Sequence, residues 1–294
     1  MAVGLSSGIV GILFALAQHD LKRMLAYSSV ENLGIIGLGL GMGLLGQAQG
    51  SASLTVLGYA GALFHVLNHA VMKGMLFLQA GAVKHATGTL AMDRLGGLAK
   101  RMPWASGAFL VGAVAIVGLP PLNGFMGEFI LYLGAFRGQG TSDFATVVPL
   151  LAAIGGLALI GGLAVASFTM VYGVVYLGEP GQFQGHDTIV SPKLAHEPGL
   201  AMLAPMLILA AACVGLGLAA PWVVHGMGPA LGLVTRLPAD AVQAELAGLI
   251  RSLSWIVLAA SGFLAVLAGL VLLRGWLLAG RSVESAPTWG CGYH

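Results

Sequence analysis

Charge is scarce in this sequence. Asp, Glu, Lys and Arg make up 8% of its 294 residues, against about a quarter in an average soluble domain. The formal charge of +2 excludes the strongly basic surface of a nucleic-acid binder. Cysteine is scarcer still, at two residues. Cys213 lies in an apolar run and Cys291 near the C-terminus, and the two give neither a disulfide framework nor a paired metal spacing. The alternating segments of about ten residues that build a β-barrel are also missing. So are the basic n-region and small-residue cleavage site of a signal peptide, which predicts that the apolar run from Met1 is a retained helix.

What remains is apolar. Hydrophobic residues make up 57% of the chain, and the mean hydropathy is +0.91. These values predict an all-α integral membrane protein. Counted against the roughly 20 apolar residues that cross a bilayer, seven spans emerge: 2–18, 32–49, 55–83, 104–136 (interrupted), 145–177, 200–224 and 253–278. Residues 1–294 read as one polytopic membrane domain. The polar stretches 178–199 and 236–251 read as connections, the second as a short amphipathic helix with Val242, Leu246, Leu249 and Ile250 on one side. Small residues four apart, Ala152 with Gly156 and Ala158 with Gly162, predict close helix packing in lipid.

The basic residues set an orientation. With the first helix ending inside, the inner segments hold Lys22, Arg23, Lys84, Arg94, Lys100, Arg101, Lys193, Arg274 and Arg281; the outer ones hold Arg137, Arg236 and Arg251. The N-terminus is then expected outside and the C-terminus in the cytoplasm.

One span is unlike the rest. "WASGAFLVGAVAIVGLPPLNGFMGEFILYLGAF" carries Pro120 and Pro121, which remove two amide donors and cannot continue a helix. Two half-helices joined by an unwound stretch near mid-membrane are expected, with Glu128 just past the break. Irregular backbone at that depth is tolerated where it is buried in protein or lines a wet cavity. A broken helix with an ionisable group beside it is a transporter device; a proline kink with a glutamate near the outer interface is the plainer alternative.

The other concentration of chemistry is "LFHVLNHAVMKGMLF", residues 63–77. His65, His69 and Lys73 are spaced i, i+4, i+8. Each is turned about 40° from the last and rises about 6 Å, so the three share one helical stripe. Asn68 lies beside His69 on the same side. A lysine at bilayer depth costs at least ~2.5–3.5 kcal/mol, so it should face the bundle interior or water. Burial disfavours the charged form of an amine and a nearby carboxylate favours it; a group held between those pulls can load and release a proton. The pattern favours a proton relay, with polar glue between helices as the alternative. A zinc-protease reading fails, because Val66 stands where the motif needs a glutamate. A haem sandwiched between the two histidines fails too, since both lie on one side of one helix. A third polar cluster, "HDLKRMLAYSSVENLG" at 19–34, reads as an inner membrane edge that is either a charge-anchored loop or an entry point for protons.

In this order, "LKRMLAYSSVENLG", "HVLNHAVMKGMLFLQAGAV", "MDRLGGLAKRMPW" and "GLPPLNGFMGEFILY" resemble the antiporter-like, proton-translocating subunits of respiratory complex I and membrane-bound hydrogenases. The "TWGCGY" ending and "PPLNGF" wording look most like the hydrogenase-4 branch. The resemblance implies roles. Lys73 is similar to the central lysine of the second half-channel, His69 to the histidine one turn earlier that relays protons to it, and Glu128 to the terminal group on the broken helix. His65 matches more weakly. The implied fold is two inverted five-helix repeats. This chain would be a C-terminal portion, with second-repeat helices in about 1–136 and following helices in 137–294. The glutamate–lysine pair of the family's first half has no counterpart in it.

The function so implied is a proton-translocating membrane subunit of a hydrogenase-4, formate hydrogenlyase or complex I-like oxidoreductase in the cell's inner (plasma) membrane. A multisubunit Na⁺/H⁺ antiporter subunit and a non-conducting membrane anchor are the alternatives. Expected partners are other membrane subunits of that assembly, the lipid bilayer and protons, with no nucleic acid. The sequence offers no cofactor or metal ligand set, so redox chemistry is expected on partner subunits.

Overall fold

The structure, a computed structural model, describes residues 1–140, 144–177 and 195–281. Among the described residues there are ten α-helices: α1 (Ala2–Leu16), α2 (Leu21–Gln49), α3 (Ala52–Thr87), α4 (Pro103–Ile116), α5 (Asn123–Gly138), α6 (Phe144–Tyr172), α7 (Leu200–Leu218), α8 (Ala220–Gly226), α9 (Gly228–Thr235) and α10 (Ala239–Leu278). Five of these segments are long and apolar enough to cross a membrane, and α1 and α4 are shorter apolar helices. The protein is an all-α integral membrane protein. Lys193, Cys291 and "TWGCGY" lie outside the described residues.

The buried core centres on the first six helices, and α7 to α10 add to it through residues such as Met206, Val224, Leu231 and Leu246. α2 opens where the Asp20 carboxylate accepts from the Arg23 amide, and α3 where Ser51 Oγ accepts from the Leu54 amide. Glycine decides how closely the first helices approach: a Cβ at Gly34 on α2 would stand 2.3 Å from the Gly8 amide nitrogen on α1. α3 is the central element, with 21 buried residues along its length. α2 lies antiparallel to it, Gly46 meeting Thr55 near one end and Leu25 meeting Lys73 further along. α5 also runs antiparallel to α3, Asn123 beside Asn68, Gly127 beside His65 and Gly134 beside Leu57. α4 continues that line, with Gly112 against Met75 and Leu76.

The interrupted span is therefore two half-helices, as the double proline demands. The break covers 117–122, with Gly118 at φ +68 and a cis bond between Pro120 and Pro121. It is level with Asn68, midway along α3. α7 seals it from one side: a Cβ at Gly217 would touch the Pro121 carbonyl.

Four expectations need correction. The span expected at 32–49 begins eleven residues earlier, at Leu21, so the 19–34 cluster is mostly helix and not a loop. The amphipathic segment 236–251 is not a separate helix. It is the start of α10, though its face was read correctly: Val242, Leu246 and Leu249 are buried. Of the small-residue pairs, Gly156 packs against Leu5, whereas Ala158 and Gly162 are exposed. Further, α7 ends at Leu218, and α8 and α9 continue its descent to Gln47 at the far end of α2.

The ends of the bundle differ in charge. Lys22, Arg23, Lys84, Arg94, Lys100 and Arg101 gather where the α1–α2 turn is joined to the α3–α4 connection by Leu21 N–H to Leu90 O (3.0 Å) and Met92 N–H to His19 O (2.8 Å). Arg137 and Arg236 lie at the other end.

Candidate functional site

Lys73 sits in the middle of α3 and is only 5% exposed. Its ammonium does not snorkel to an interface. It reaches across to α2, donating to the Leu25 carbonyl at 3.0 Å and to Ser28 Oγ at 2.5 Å. Ser28 Oγ and Ser29 Oγ also turn back and donate to Leu25 O, at 3.1 Å each, so the ammonium shares that carbonyl with two hydroxyls.

Eight residues along α3, His65 meets the same helix. Its Nε2 lies 3.1 Å from Asn32 Oδ1. Asn32 Nδ2 donates to the Ser28 carbonyl at 2.9 Å, which leaves Oδ1 as the acceptor for a proton on His65 Nε2. His65 Nδ1 then faces Gly127 on α5, where a Cβ would stand 2.9 Å away. Glycine at 127 is what lets α5 lie directly on the histidine. Asn68 ties the two elements together, donating to the Asn123 carbonyl at 2.8 Å. His69, between His65 and Lys73, is half-buried.

Two carboxylates complete the cluster. Glu128 stands on the first turns of α5 and packs its carboxylate against the Gly118 turn. Glu31, 2% exposed, lies on α2 one turn beyond Ser28, within electrostatic reach of both Lys73 and Glu128. His69 is within the same reach of Lys73, and His65 of His69.

All four residues singled out in the sequence, His65, His69, Lys73 and Glu128, thus belong to one cluster at the helix break. Sequence reasoning missed how Ser28, Glu31 and Asn32 complete it. Their spacing of three and four residues was a helical-face signal, hidden because the span was started at Asn32. Among the described residues, several buried polar atoms here have no hydrogen-bond partner: Glu31 Oε2, His65 Nδ1, His69 Nδ1, Asn68 Oδ1 and the Asn123 amide. Further along α3, towards the basic end, Gln79 is buried with both amide atoms in that condition. Among the described residues, no three His, Cys, Asp or Glu side chains converge to hold a metal ion. A buried lysine flanked by carboxylates and histidines at a break in a membrane helix is a constellation suited to moving protons.

Residues 1–155 match the family described as NADH:quinone oxidoreductase/Mrp antiporter, TM. The chain belongs to that family. Its whole length is 38% identical to hydrogenase-4 component B of Escherichia coli (strain K12), covering 43% of that protein. It is also 38% identical to formate hydrogenlyase subunit 3 of the same organism, again over the whole chain and 45% of the relative. The chain therefore spans less than half the length of these relatives. Among solved structures, the Mrp complex from Dietzia sp. DQ12-45-1b superposes with a TM-score of 0.64 over 83% of this chain and 48% of that one. At 23% identity that likeness is one of fold.

Proposed function

We propose that this chain is the proton-conducting part of a membrane subunit in a hydrogenase-4, formate hydrogenlyase or complex I-like oxidoreductase. The observation that carries the reading is the Lys73 ammonium, buried at the depth of the helix break and bonded to α2. A charged amine in a bilayer interior is costly, and such groups mark ion and proton paths. Redox chemistry on partner subunits would change the field at Lys73 and drive its proton off. From Lys73 the proton passes by His69, His65 and water towards Glu128. The unpartnered atoms along this line support water there, because buried polar groups are satisfied by protein or by ordered water.

The family's Mrp members support a second reading, a multisubunit Na⁺/H⁺ antiporter subunit. A non-conducting anchor is a third, which the buried lysine disfavours. The basic end of the bundle favours a placement in the inner (plasma) membrane with the N-terminus outside and the C-terminus cytoplasmic. Lys73→Ala in the intact assembly, in inverted vesicles, tests the reading. Proton transfer should be lost while assembly persists, with no dependence on sodium. A sodium requirement would favour the antiporter, and unchanged transfer would favour the anchor.

A further inference from the structure

Glu31 has no part in the route just described, yet its position suits it to one. We propose that Glu31 accepts the proton released by Lys73 and delivers it to Glu128, so that the path leaves α3 and crosses α2. This rests on the proton-conducting reading of Lys73 and names the carrier between its two ends.

The geometry separates Glu31 from a mere counter-ion. The hydrogen bonds of the Lys73 ammonium run to Leu25 O and Ser28 Oγ, one turn from Glu31 on the same face of α2. The carboxylate is thus beside the ammonium's anchor without being spent on it. Its Oε2 is buried and has no hydrogen-bond partner among the described residues. Lys73 and Glu128 are both within its electrostatic reach. Its backbone is held in place by α1, where a Cβ at Gly11 would stand 2.5 Å from the Glu31 nitrogen. The histidines are worse placed as the sole route. His65 already commits Nε2 to Asn32 Oδ1, so passing a proton through both of its ring nitrogens means breaking that bond.

The transfer is a pair of proton exchanges. Lys73–NH₃⁺ and the Glu31 carboxylate become a neutral amine and a carboxylic acid. The acid then gives its proton to the Glu128 carboxylate, and Glu31 returns to the anion. The Ser28 hydroxyl or a water bridges any gap longer than a hydrogen bond. The summed charge of the three groups is the same before and after each exchange, so neither leaves a new uncompensated charge in the bilayer interior.

The test uses the intact membrane complex in inverted vesicles, with Lys73→Ala, Glu31→Gln and Glu31→Asp compared for assembly, proton transfer and the infrared band of a protonated carboxyl. Lys73→Ala and Glu31→Gln should each slow transfer about tenfold or more. Glu31→Asp should keep a measurable share, and the carboxyl band should vanish in Glu31→Gln. Full transfer in Glu31→Gln alongside loss in Lys73→Ala overturns the role of Glu31 and leaves that of Lys73 standing. Full transfer in Lys73→Ala overturns both. If Glu31→Gln does not assemble, Glu128→Gln decides: a proton stranded on Glu31 leaves the carboxyl band in place, and its absence overturns the proposal.

Discussion

Lys73 Nζ and Ser28 Oγ, 45 residues apart in sequence, lie 2.5 Å apart between α3 and α2. That bond joins the buried cation to a helix whose polar face also carries Glu31 and Asn32. Ser28→Ala would leave the buried ammonium with one acceptor fewer, a loss of about 1–3 kcal/mol. A lower Tm of the purified complex is expected, with Ser28→Thr closer to the native value. Thermal unfolding in detergent measures both.

The contact between α5 and α3 depends on Gly127. Alanine there would bring a Cβ to 2.9 Å from His65 Nδ1 and 3.2 Å from Asn68 Nδ2. Overpacking of this kind costs about 1–3 kcal/mol, and the shift falls on the proton path itself. Gly107→Ala on α4 is the control, since that glycine is exposed and a Cβ would meet nothing within 4 Å. Gly127→Ala should lower both stability and proton transfer. Gly107→Ala should leave transfer intact and hold or raise Tm, because alanine is the better helix former.

Glu197 caps α4 from a distant part of the chain. Its Oε2 accepts from the Trp104 amide at 3.1 Å and its Oε1 from the Ala105 amide at 2.8 Å. Two otherwise orphaned donors are satisfied, and the anion meets the positive end of the helix. Glu197→Ala should cost about 0.5–2 kcal/mol, read as faster proteolysis at the start of α4 with proton transfer largely unchanged.

How much of this was legible follows from which forces act locally. The stripe of His65, His69 and Lys73 could be read because helical periodicity alone places them together. The break at Pro120 and Pro121 could be read because a missing amide donor is a property of the residue. The start of α2 could not. Tyr27, Ser28, Ser29, Glu31 and Asn32 lower the hydropathy of its first turns, and hydropathy treats every polar residue as if it faced lipid. Ser28, Glu31 and Asn32 are instead buried against α1 and α3. That Lys73 would find Ser28, and that α10 would run on from Ala239 through the amphipathic stretch, are matters of tertiary packing with no local signature.

Replacing Lys73 by arginine probes the proton path most directly. Arginine keeps the positive charge but does not give up its proton in a protein. In the intact complex in inverted vesicles, Lys73→Arg should assemble and yet lose proton transfer, as Lys73→Ala does. Transfer at the native rate in Lys73→Arg would mean that the amine never releases its proton, and would contradict a role for Lys73 as a proton carrier.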